Sequence, residues 1–399
     1  MRRIFTILFA AVLTVFCSTQ GARAQKARFY DLGHYPGGTW AEPWGINRAG
    51  VLVGMGDISS GYTRPIGVPL FGPHAGQWFD LGTLGGDRTD TVMCMDIADT
   101  GMIVGHSAIA GNEIVHAFVW TPDTRMVDIG TLADVGNTGY EFSIAWGTNR
   151  SGTLIVGWSS SGIDPSGPDG PTADSLPVVW TPKVAWDSGQ WKVKWQIHKL
   201  DTTGLEGFIY WTALHPNDHG QILGMAAAAD GTMIGVVWIP VAGGKDWRIH
   251  RLPGAPGYNT VWPTDINNNG EIVGDVMIID PATGNWNAEF PAYWKPTDTS
   301  ELRFSVTVLP TLGGYLSGIG DGEGINEVGD IVGGSTDANG NYYATAWSTQ
   351  DPGFAPKLLR SPHHSGSWSW ASKVNNSGVV AGSYGNDDVP ENTAAWTLR

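Results

Sequence analysis

Short apolar runs alternate with turn residues along almost the whole chain. In "GINRAGVLVG" at 45–54 a polar turn ends on glycine, and an apolar run closed by a small residue follows. Nearly the same phrase returns as "DINNNGEIVG" at 265–274 and "GINEVGDIVG" at 324–333. Aligned on the turn glycine, the unit occurs seven times, at Gly50, Gly101, Gly152, Gly220, Gly270, Gly329 and Gly378. Six copies carry Asn three residues earlier: Asn47, Asn149, Asn217, Asn267, Asn326 and Asn375. The second copy has Ala98 there, with Asp99 beside it. Asn bonds its own backbone and Gly accepts positive φ, so each copy predicts a tight hairpin turn.

A second strand follows each turn and ends on a large ring: Phe71, Trp120, Trp180, Trp238, Trp294, Trp347 and Trp396. A third element comes next, as in "QWFDLGTLGG" and "WRIHRLPGAPG". It has six copies after the rings, because the chain stops at "AWTLR". The seventh stands alone at 27–38, "ARFYDLGHYPGG", ahead of the first unit. A strand displaced from one end to the other is what ring closure requires. The segment around Phe29–Leu32 is expected to complete the sheet bearing Trp396 and remove the free edges. With a strand before each turn, every unit has four. Units of ~50 residues fit propeller repeats. The expected fold is all-β: a seven-bladed β-propeller of four-stranded antiparallel blades, one domain over 25–399.

Composition narrows the function. Gly 56, Trp 20 and only 15% charged residues suit short strands and turns rather than helices. A formal net charge of -15 argues against nucleic acid as a partner, since phosphate binding needs a basic field. Residues 1–24 read as a secretory signal peptide: Arg2 and Arg3, an apolar run from Ile4 to Cys17, then Ala22-Arg23-Ala24. Cleavage near Ala24 implies a secreted or periplasmic protein. That leaves one cysteine, Cys94, so no internal disulfide forms and packing must supply the stability. No other segment is apolar enough to span a membrane. A monomer without cofactor or metal is expected.

The repeat also resembles a known family. "HAFVW" at 116–120, "DLGTLGG" at 80–86 and the "IN..G.IVG" units are similar to the extracellular repeats named for His-Ala-Phe, the HAF repeats. Only His116-Ala117-Phe118 spells the triplet intact; other units read "GVV", "PAY", "ATA" and "TAA". The resemblance implies secretion and a propeller-like repeat. It implies no catalytic residues.

With inner strand a and outer strand d, the a–b and c–d turns lie on one face of each blade and the d–a and b–c loops on the other. The a–b turns are short and uniform, whereas the d–a loops are long and varied, which points to the d–a face as functional. Five tryptophans before the turns (Trp44, Trp146, Trp211, Trp262 and Trp370) recur at similar distances and are read as structural. Tyr35, Trp40, Tyr140, Tyr258, Tyr315 and Trp368 fall outside that slot and are candidates to stack on a ligand. Five residues before each turn glycine stand Gly45, Asp96, Gly147, His215, Asp265, Gly324 and Lys373. These belong to the innermost strand. Asp96, His215, Asp265 and Lys373 around one funnel could form a general acid–base set, or could tie neighbouring blades together. His34, His363 and His364 meet across the ring closure and are further candidate catalytic groups. No nucleophile elbow or phosphate-cradling glycine motif is present. Two functions follow: a propeller that binds a glycan or protein partner through its aromatic loop face, or a glycan-active lyase or hydrolase using His and Asp at the channel mouth. The first is favoured, because no catalytic motif stands out.

Overall fold

A computed structural model describes residues 28–59, 62–86, 93–111, 114–133, 141–161, 175–187, 190–241, 246–298, 303–318, 324–361, 367–386 and 389–399. These residues form 28 strands and no helix. The strands make seven four-stranded antiparallel blades of a β-propeller. The ring closes as the displaced strand requires. Phe29–Gly33 is the outer strand of the seventh blade, pairing Phe29 with Trp396 and Asp31 with Ala394. The Phe29 ring meets Trp396 edge-on at 5.6 Å and Tyr384 at 5.4 Å. Blade seven is then stitched to blade one by Ser372 Oγ donating to the Pro43 carbonyl (2.8 Å) and Asn375 Nδ2 to the Asn47 carbonyl (2.9 Å).

The turns explain the repeat. All seven turn glycines have φ between 68° and 85°, the left-handed region a side chain disfavours. Each asparagine caps its own turn through Oδ1, as Asn47 does for the Val51 N–H at 3.0 Å. Its Nδ2 then reaches the next blade. Asn217 donates to the Asn267 carbonyl, Asn267 to Asn326, Asn326 to Asn375 and Asn375 to Asn47, at 2.9–3.1 Å. Asn47 makes a longer bond, 3.5 Å, to the Ala98 carbonyl. The circuit breaks at Ala98, which has no amide to offer, and at Asn149, whose Nδ2 serves Ser151 and Thr153 in its own turn.

The core lies between blades and is built on the ring slot. Trp120, Trp180, Trp238, Trp294, Trp347 and Trp396 are all buried. Each pairs with the second-strand residue Ile103, Ile155, Ile222, Ile272, Ile331 or Val380. At about 25 cal/mol per Å² and about 150–250 Å² per ring, each contributes several kcal/mol. Phe71 is a correction. The residue opposite Leu52 in the first blade is Val68, and Phe71 lies beyond the strand at 45% exposure. It covers Gly50 and meets Tyr30 edge-on at 6.2 Å. The volume a tryptophan would fill is taken by Trp78, which packs on Val68 and its neighbours and donates to the Leu32 carbonyl at 3.3 Å.

Four of the six core indoles donate to the preceding blade: Trp238 to Asp201, Trp294 to Pro253, Trp347 to Pro310 and Trp396 to Arg360. Trp120 and Trp180 find no acceptor among the described residues. In those two units the equivalent acceptor position is Gly82 or Gly130, held left-handed at φ 84° and 81°. Asp80 and Asp128 enforce that conformation by accepting the glycine N–H through Oδ1. The Asp-x-Gly signature thus terminates the outer strand and turns away the carbonyl its neighbour would use. Cys94 is buried, donates to the Gly54 carbonyl at 2.6 Å, and has its thiol pushed up by burial, so it stays protonated.

Candidate functional site

The funnel residues converge because every innermost strand described at that point carries a bulge. The register shifts between Pro43 and Gly45, Cys94 and Asp96, Ala145 and Gly147, Ala213 and His215, Pro263 and Asp265, and Ala371 and Lys373. The residue after each bulge is the variable one. A bulge re-aims the side chain that follows it, here toward the propeller axis.

Asp96, His215, Asp265 and Lys373 form one buried network. The Lys373 ammonium, fully buried, donates to Asp96 Oδ1. His215 Nδ1 stands 3.8 Å from Asp96 Oδ2 and 4.0 Å from Asp265 Oδ1. The carboxylates are also held by the next blade: Asp96 accepts the Thr148 N–H at 2.9 Å and Asp265 the Ile325 N–H at 3.0 Å. Glycine makes these reaches possible. A Cβ on Gly147 would overlap the Leu214 carbonyl and lie 2.9 Å from His215 Nδ1. One on Gly45 would lie 3.1 Å from the Asp96 Cα.

Burial works to raise the Asp96 carboxyl, but the Lys373 ammonium, with bonds from Lys373 and the Thr148 amide, holds it below the usual carboxylate range. Burial, and then the Lys373 charge, push His215 down to about 3. The imidazole is neutral and Asp96 ionised at neutral pH. Closer to the a–b turns, Arg150 Nε reaches from the third blade to Glu327 Oε1 of the sixth at 3.3 Å. Two charged layers therefore close the axis at the a–b end.

Above them, toward the d–a loops, a cavity of about 230 Å³ opens among blades three, four and five. Trp146, Tyr210 and Trp262 form its aromatic walls, with Leu214 and Met225 beside them and His215 at its floor. The buried Trp146 Nε1 has no hydrogen-bond partner among the described residues.

The cavity corrects the reading of the five tryptophans as one structural slot. Trp146 lies six residues before its turn glycine and Trp262 eight, whereas Trp211 lies nine before. Even counts put the ring on the cavity side of the strand, as Tyr210, Thr212 and Leu214 also show. The odd count puts Trp211 in the blade core, edge-on to Phe208 at 5.9 Å. Parity counted from the turn glycine was the signal that separates them. Trp44 and Trp370, also at even counts, meet edge-on at 6.1 Å where blades one and seven join.

The other candidates do not gather at the cavity. Tyr258 packs edge-on against Phe290 at 5.9 Å, in the core beside Val261 and Val276. Tyr35 and Trp40 flank a turn that Asp57 organises by accepting the Thr39 and Trp40 N–H groups. His34 is half-buried, its Nδ1 3.2 Å from the Tyr35 carbonyl. Trp368 begins the innermost strand of blade seven, opposite Gly385. Tyr140, His363 and His364 lie outside the described residues, as does the Tyr315 side chain. Among the described residues no group of three or more His, Cys, Asp or Glu side chains is placed to hold a metal ion, and no helix is long and apolar enough to cross a membrane.

No protein-family model matches the chain, and no curated protein matches it in sequence. Among solved structures, the chain is similar to the β-propeller domain of the Trilobed protease from Pyrococcus furiosus: 9% identity, TM-score 0.49, over 90% of this chain and 95% of that one. It is similar to Trypanosoma rangeli sialidase at 9% identity and TM-score 0.43, over 94% of this chain and 59% of that one. It is similar to the polysaccharide lyase Uly1 at 11% identity and TM-score 0.38, over 88% and 85%. Likeness at these scores does not bear on what this chain does.

Proposed function

We propose that this is a secreted or periplasmic propeller of the HAF-repeat type that binds a glycan through the cavity on its d–a side. The observation that carries this is the aromatic cavity walled by Trp146, Tyr210 and Trp262. Flat rings suit the C–H faces of a sugar. At about 230 Å³ the cavity is smaller than a drug-sized pocket of about 300–1,000 Å³. It holds one ring of a longer chain, whose remainder lies over the d–a loops. A protein partner would enter by a single side chain instead.

The glycan-active alternative has one observation in its favour, His215 on the cavity floor. Its imidazole, pushed down to about 3, is a weak base at neutral pH, and its carboxylate neighbours are committed to Lys373 and backbone amides. Binding is the better reading. A glycan array on the mature protein, with assays for new reducing ends and unsaturated products, tests both. Binding without turnover is expected. Turnover that His215→Gln abolishes would replace binding by catalysis, and no bound glycan at all would remove the ligand class.

A further inference from the structure

The third blade ends in a hairpin unlike the other six. Its two outer strands, Leu176–Asp187 and Gln190–Lys199, are 12 and 10 residues long. The pairing runs unbroken from Val178–Lys199 to Asp187–Gln190. The blade body needs about the first half of that ladder, since Trp180 is its buried core ring. The rest continues as a two-stranded ribbon on the a–b turn side, with Val193, Lys194 and Trp195 beside residues 127–131 of the second blade.

Alternation sorts the ribbon into two faces. On one, Val184 stands opposite Val193, and Pro182 opposite Trp195, with Trp186 at the far end. Val184, Trp186 and Val193 are 63%, 62% and 58% exposed, the three highest values among the large apolar residues described. On the other, Lys183 stands opposite Lys194 and Ala185 opposite Lys192. Four of the nine lysines in the chain fall within 183–199, in a protein of formal charge -15. A basic, apolar-faced ribbon on an acidic protein is not explained by solubility, which such a face lowers.

We propose that this ribbon docks the protein on an anionic lipid surface. It lies in the interface as an amphipathic element does: Val184, Trp186 and Val193 enter the acyl boundary, and the lysines of the opposite face extend their stems to the headgroups. Tryptophan favours that boundary, and lysines beside an anionic leaflet are each attracted to it. Charge and hydrocarbon a few ångströms apart in depth are what a bilayer surface offers. A glycan would leave the two valines unmet. The a–b face then rests toward the lipid and the cavity faces outward, accessible to ligand.

Co-sedimentation of the mature protein with vesicles tests this. Vesicles of phosphatidylglycerol and phosphatidylcholine should carry the protein down, and pure phosphatidylcholine should not. Reversal of Lys183, Lys192 and Lys194 to Glu should weaken binding by about a hundredfold or more, at about fivefold or more per lysine. Val184→Asp should weaken it about as strongly as one lysine reversal or more. Lys357→Glu, on the sixth blade, should leave it unchanged. Thermal melting identifies any variant that fails to fold. Absence of binding to anionic vesicles, or binding that hairpin variants retain, would overturn the proposal. So would self-association that the same variants abolish, because the ribbon would then cover a second copy of the chain.

Discussion

Lys373, in the seventh blade, donates to Asp96 in the second across Gly45, the residue the first blade places between them. One missing side chain lets two blades that are not neighbours share a buried ion pair. Removing one partner leaves the other charged and buried, which costs about 3–5 kcal/mol. Lys373→Met should lower stability by that order in chemical denaturation. Adding Asp96→Asn to it should recover part of the loss. A Lys373→Met variant as stable as the parent would show that the pair is not formed.

The glycines of the funnel are a second test. Gly147→Ala drives a methyl into the Leu214 carbonyl and the His215 ring, whereas Gly45→Ala meets Val53 and Asp96 at 3.0–3.1 Å. Overpacking of this kind costs about 1–3 kcal/mol. The larger loss should fall on Gly147→Ala, read from the denaturant midpoint.

Acid should unfold the protein through its buried histidines. Burial and the Lys373 charge push His215 down to about 3, and burial pushes His106 down to about 4, against an ordinary value of 6.5. Between those values the unfolded chain binds protons the folded chain refuses. Their stabilisation is therefore complete above pH 6.5 and is lost as the pH falls toward 3–4. Asp96, held below its ordinary 3.8, extends the loss to lower pH. His116 acts the other way: burial lowers it, but Asp128 outweighs that and raises it, so its contribution fades as the pH rises. Melting temperature followed from pH 7 to 4 should fall, and His215→Gln should flatten the slope.

The asparagine circuit separates two roles of one residue. Asn326→Ala loses both its turn bonds and the inter-blade bond to Asn375. Asn149→Ala loses turn bonds only. Each loses four side-chain hydrogen bonds, but only the Asn326 bond to the Asn375 carbonyl is buried and joins two blades, and it should make Asn326→Ala the costlier change by about 1 kcal/mol. Equal losses would mean that the circuit does not hold the ring.

Ring closure was legible because a strand missing at one end and present at the other has one simple placement. The turns were legible because Asn and Gly fix them locally. The Asn Nδ2 acceptor was not, since it belongs to a unit about fifty residues away and shares no local signal. Phe71 is not the first unit's core residue because that unit puts the smaller Val68 in the ring position and packs Trp78, just before its outer strand, against it. The cavity was missed for a subtler reason. Distance from the turn glycine marks a position along the strand, but parity and the bulge decide which side it faces, as Trp146 and Trp211 demonstrate.

The cavity carries the functional reading, so it should be tested by affinity. A glycan selected on the array would be titrated calorimetrically against the parent, Trp146→Ala and Trp262→Ala, with melting temperatures recorded in parallel. Loss of a stacking wall should weaken binding about tenfold or more, since burying an apolar face contributes about 1.5–3 kcal/mol per side chain, in variants that remain folded. Undiminished affinity in both folded variants would place the binding site elsewhere.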